Sequence, residues 1–143
     1  MEEETFESFF ENMDWEMLLE QRNVLVDIRH KKSTTTQSLA VANVISLVDG
    51  VWLAYRKRMN AKGKPVLSDK YQASVINKLV KKVDWKQLRE DKRVFVEMMA
   101  KKSLTKKEVD AMNGILNGID YFQDAYVYQY GVPEHEVFYL SED

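Results

Sequence analysis

The sequence contains no cysteine, two prolines, five glycines and two histidines in 143 residues, and each shortage closes off a class of protein. Without thiols there is no disulfide scaffold, no thiolate nucleophile and no zinc site built on sulfur, and the cytosol is mildly favoured. So little proline and glycine, with no low-complexity run, excludes a linker, a collagen-like chain or a disordered tail. The opening residues, Met1 to Thr5, have neither a basic n-region nor an apolar h-region, so no signal peptide and a cytoplasmic location are expected. Glycine-rich phosphate loops, a nucleophile-elbow serine and zincin motifs are missing as well. No catalytic residue, metal or cofactor is therefore expected.

What is present is apolar and charged. Hydrophobic residues make up 45% and aromatics 11%, enough for one core of ordinary size. The net charge of -2 hides a segregation: residues 1–21 carry eight acids and no Lys or Arg, residues 22–107 carry all 21 cations against seven acids, and residues 108–143 carry eight acids and no cation. Two acidic ends flank a basic middle. Such a chain either presents a dipolar surface that steers a charged partner or folds its ends over the middle.

An internal repeat organises the chain. Residues 14–45 laid over residues 84–115, without gaps, match identically at 12 positions, among them Asp14/Asp84, Trp15/Trp85, Lys31/Lys101, Lys32/Lys102, Asn43/Asn113 and Ile45/Ile115, where chance gives about two. Downstream, a one-residue insertion restores Asp49/Asp120, Ala54/Ala125 and Tyr55/Tyr126. The expected fold is all-α: a tandem duplication of a three-helix unit, offset by about 70 residues, packed as one pseudo-twofold helical bundle. The repeats are placed at 1–64 and 65–131, with a tail at 132–143.

Each unit reads as a short first helix near 3–12 or 69–82, a second opening at the N-cap Asp14 or Asp84, and a long third. Met13 with Leu18, and Val83 with Leu88, have the spacing of a hydrophobic staple. Lys31-Lys32 and Lys101-Lys102 close the second helices, where cations suit the dipole. Capping boxes, Thr34 with Gln37 and Thr105 with Glu108, open the third helices, which end near Gly63 and Gly131, each with Pro two residues on. The stretch Leu39–Tyr55 is apolar on nearly every side, so the two third helices are expected back to back at the centre, with a homodimer interface as the other way to cover them. A membrane span is disfavoured by Asn43, Ser46 and Asp49. Gly114 and Gly118 are spaced to admit a neighbouring backbone.

Several groups have the residue types that carry chemistry. Asn43 and Asn113 read as a register-fixing polar pair, with a ligand contact as the sharper alternative. Asp49 and Asp120 read as structural, with a carboxylate site near the pseudo-axis as the enzyme reading. Asp27 and His30 share a helix face, yet the second unit has Glu97 and Ala100 there, and His135 has no second histidine near it in sequence. Arg29, Lys31 and Lys32, with Lys101, Lys102, Lys106 and Lys107, fall at the equivalent turn of each unit, and Arg56, Lys57, Arg58, Lys62 and Lys64 extend the supply. Paired turns of this kind either straddle a nucleic-acid backbone or merely cap helices and solubilise. Glu3, Glu7 and Glu11 form a carboxylate stripe that either mimics a phosphate row for a partner or suits a helix dipole. Phe138 and Tyr139, in the apolar run 137–140, cover the core or dock on another protein.

The expected function is thus a small non-catalytic helical interaction protein that binds and modulates another macromolecule, most plainly a protein, as adaptor, regulator or inhibitor. Phage and mobile-element products that block host machinery are an analogy for it. Nucleic-acid binding through the paired basic turns is the alternative, and no membrane role is expected.

Overall fold

Asp14 and Asp84 each sit in extended backbone and accept the amide of the residue three positions on, Met17 and Gln87, at 3.0 Å. Each capped start opens a helix, and the computed structural model, which describes residues 6–58 and 77–130, is helical nearly throughout. Among the described residues there are six helices: α1 (Phe6–Asn12), α2 (Trp15–Lys31), α3 (Thr35–Arg58), α4 (helical over 77–82), α5 (Trp85–Met99) and α6 (Lys106–Tyr130). Both capping boxes form: Thr34 and Gln37 exchange bonds of 3.0 and 3.3 Å, and Thr105 and Glu108 bonds of 2.8 and 3.2 Å. No strand occurs among the described residues.

The packing crosses between the halves. α2 lies along α6 and α5 lies along α3, while α2 also packs on α3, and α1 on α6. The two third helices, expected back to back, are not a close-packed pair. Leu18, Leu25 and Ile28 of α2 and Leu88, Phe95 and Met98 of α5 contribute to one shared core cluster. Side chains of α3 and α6 do share that core, Val44 and Val48 with Ile115 and Ile119. A second cluster seats α1. A seven-residue helix has no stability alone, and this one is held by Phe6, Phe9 and Phe10, all nearly fully buried, with Phe6 5.4 Å from Phe122 and Phe9 5.2 Å from Tyr121.

Local geometry recurs between the halves, in a register that differs from the sequence reading. Counted from the capping boxes, the third helices correspond at an offset of 71 from their first turn, and buried and exposed positions then alternate almost identically along α3 and α6. The extra residue therefore lies in the turn before α6, not beyond Ile45. Asn43 and Asn113 are consequently not equivalent and do not meet: both are exposed, and Asn43 donates to Asp91 instead, at 3.5 Å. Asp49 and Asp120 do correspond, and each is bound by a cation of the second helix it adjoins. Arg22 grips Asp49 at 2.6 and 2.9 Å, and Lys92 reaches Asp120 at 2.7 Å. These carboxylates are about half exposed, at 47% and 48%, and separately paired. Trp15 stacks on Tyr55 at 4.2 Å and Trp85 packs on Tyr126 at 4.5 Å.

Three further expectations change. α5 ends at Met99 with Ala100 as its cap, so Lys101 and Lys102 lie in the following turn, unlike Arg29, His30 and Lys31, which occupy the last turn of α2. The surface of Gly114 is met by the side chain of Gln21, not by a backbone, and Gly118 has room for a methyl group against Met13 and Leu18. α3 is apolar on fewer sides in effect than in composition, since Leu39 and Leu53 are 62% and 52% exposed. Residues Thr35–Lys57 form the one helix among the described residues that is long and apolar enough to cross a membrane, a property that core helices of soluble bundles share.

Candidate anion-binding end

The turn between α2 and α3 and the turn between α5 and α6 lie side by side at one end of the bundle. Lys32 joins them: its ammonium donates to the carbonyl of Ser103 at 3.1 Å and to Glu108 at 2.7 Å. The same Glu108 oxygen receives the Thr105 amide, so one carboxylate caps α6 and anchors a lysine from the other turn. The Lys32 ammonium, followed by the Thr105 amide, holds the Glu108 carboxyl below its ordinary range.

Around this link stand the cations singled out in the sequence. Arg29, Lys31, Lys101, Lys102, Lys106 and Lys107 are all exposed, as is His30, and among the described residues none of the six cations has a carboxylate within ion-pair distance. Arg29 donates through Nε to the Ser38 hydroxyl at 3.1 Å and remains exposed. The basic character is thus not spent internally, Lys32 excepted. The α3 and α6 amino termini point to this end, and their capping boxes satisfy only some of the free amides. Unpaired cations beside oriented amides attract anions.

The other candidates lie elsewhere. Arg56 and Lys57, at the far end of α3, are about 33 Å along the helix axis from Thr35, and Arg56 sits over the Trp52 ring at 5.9 Å, so they do not extend this surface. α1 docks near Tyr121, about 22 Å along α6 from Lys106. The described part of the acidic first segment therefore leaves the basic turns uncovered. Glu11 is exposed on α1 and Glu7 belongs to the same helix. Glu3, Lys62, Lys64, His135, Phe138 and Tyr139 lie outside the described residues, as do the expected ends of the third helices. Among the described residues no group of three or more His, Cys, Asp or Glu is placed to hold a metal ion.

The sequence reading missed the Lys32 link and the Arg22 and Lys92 ion pairs. Only the last two had a signal, the Arg22/Lys92 match at the 70-residue offset. Searches of protein-family models, curated proteins and solved structures give no significant match to this chain.

Proposed function

We propose that the protein is a small non-catalytic interaction protein, whose basic end engages an acidic surface of another macromolecule and so acts as adaptor, regulator or inhibitor. The observation that carries this reading is the convergence of two turns, 70 residues apart, on one surface where six exposed cations stay unpaired. Their charge is available to a partner, and it would speed encounter as well as strengthen binding. We also infer that the two halves arose as a tandem duplication packed about a pseudo-twofold axis. The paired aspartate caps, capping boxes, ion pairs and Trp–Tyr contacts support this.

Reversing Lys101, Lys102 and Lys106 to Glu tests the function. The wild-type chain should recover a protein partner that the variant loses, in a salt-dependent manner, while both unfold at the same temperature. Retention of every partner by the variant refutes the surface chosen. Nucleic acid is the second reading, favoured because Lys32 links the two basic turns at one end of the bundle. It requires a mobility shift at low salt that fades with a log–log slope set by the number of phosphates neutralised. No shift at low salt eliminates it.

A further inference from the structure

Superposed by their capping boxes, α6 places Tyr121 where α3 has Gly50. The Tyr121 ring packs 5.2 Å from Phe9, and its hydroxyl lies 3.1 Å from Ser8 and receives the Asn12 amide at 3.3 Å, so that side is filled. On the Gly50 side a cleft of about 470 Å³ opens between α3, α4 and α5, with Asn43, Ser46, Gln87 and Asp91 on its wall and Leu47, Leu79 and Val83 as its apolar surface. That volume lies within the range of small-molecule sites.

Asp91 is the unusual group there. It is 3% exposed, yet no Lys, Arg or His among the described residues pairs with it. Gln87 and Asn43 donate to it at 3.0 and 3.5 Å, both to Oδ1, leaving Oδ2 without a protein donor among the described residues. Lys82, the cation on the cleft lining, is exposed and forms no ion pair with it. The corresponding residue of α2 is the neutral Gln21, whose side chain lies over Gly114. Asp84 also lines the cleft and has Asp14 as its counterpart, but among the described residues a buried carboxylate occurs on the open side only. Burial pushes the Asp91 carboxyl above its ordinary range, against the two amide bonds, a cost that an incoming positive charge would remove.

We propose that this cleft binds an organic cation, an ammonium or guanidinium on an apolar stem, with Asp91 as counter-ion. Oδ2 takes the charged head, Ser46 and the amides of Asn43 and Gln87 surround it, and the stem lies on Leu47, Leu79 and Val83. The same chemistry is offered by a free amine and by an Arg or Lys side chain of a partner.

Titration of the full chain with agmatine, and separately with a short capped peptide carrying one Arg, followed by amide NMR, tests the assignment. The expected result is saturable shifts confined to residues 43–50 and 82–91 for at least one probe, and none with a neutral alcohol of equal length. Tighter binding of agmatine points to a free amine, tighter binding of the peptide to a partner side chain. Asp91→Asn should weaken binding at least tenfold, and Gly50→Tyr, filling the cleft as Tyr121 fills its counterpart, should abolish it. Because Gly50→Tyr is the riskier fold, Asp91→Asn decides. If neither probe gives saturable shifts up to millimolar concentration, or if Asp91→Asn binds as tightly as wild type, the proposal is overturned. Lys101→Glu, at the basic end, should leave this binding unchanged; a tenfold loss on that substitution also overturns it.

Discussion

The ammonium of Lys92, buried on α5, is bound by Asp120 at 2.7 Å and by the side-chain Oε1 of Gln123 at 2.8 Å, both on α6. The matching pair, Arg22 and Asp49, is open to water, with the Arg side chain 29% exposed against 6% for Lys92. Removing the acid should therefore cost unequal amounts. Asp120→Asn removes the carboxylate that binds a cation whose side chain is 6% exposed, and should lose about 2 kcal/mol. Asp49→Asn should lose under about 1 kcal/mol. Urea unfolding at neutral pH compares them.

Glycines Gly114 and Gly118 should respond differently to a methyl group. Gly118→Ala meets only ordinary contacts, and should stabilise by about 0.5–1 kcal/mol through the lost freedom of the unfolded chain. At Gly114 the methyl collides with Gln21, so that gain should be reduced or cancelled. Adding Gln21→Ala should restore it, and thermal unfolding of the three variants reads the coupling.

The pH dependence at Asp91 has a definite sign. A carboxyl whose folded pKa is raised binds protons more tightly in the native state than in the unfolded one. Stability then falls as pH rises from the ordinary Asp value through the raised one, and the loss is complete above it. Asp91→Asn should abolish that fall and leave the protein more stable by about 1 kcal/mol at neutral pH, as measured by denaturation at a series of pH values.

Glu108 acts in the opposite direction. Its carboxyl is held low by Lys32, so its contribution is present above the ordinary Glu value and disappears as pH falls through the folded one. Glu108→Gln keeps the capping contact, as Gln37 does on α3, and loses the link to Lys32. It should cost up to about 1 kcal/mol at pH 7 and nothing near pH 2, since the pair is partly exposed.

Local features were legible in the sequence because their partners lie three or four residues apart. The Asp14 and Asp84 caps, the capping boxes and the all-helical character are of that kind. Chance identities misled the register: Asn43/Asn113 and Ile45/Ile115 match at an offset of 70, although the boxes already stood 71 apart. The crossing of the halves was hidden because apolar stripes on α2 and α5 say that a face is buried, not against which helix. The basic end was half legible. Composition marks the two turns as cationic, whereas their adjacency depends on Lys32 meeting Ser103 and Glu108, groups 71 and 76 residues away. Asp91 gave no signal at all, because a carboxylate at a half-polar helix position looks solvated until its neighbours are in place.

With α2 lying along α6 and α5 along α3, each half lends the other a wall of its interior. Severed between Arg58 and Asn77, neither fragment would retain a complete interior. The two pieces should instead recombine when mixed, and an isolated piece would tend to seek a twin of itself as substitute. The link between the halves thus sets the local concentration of two surfaces made for each other.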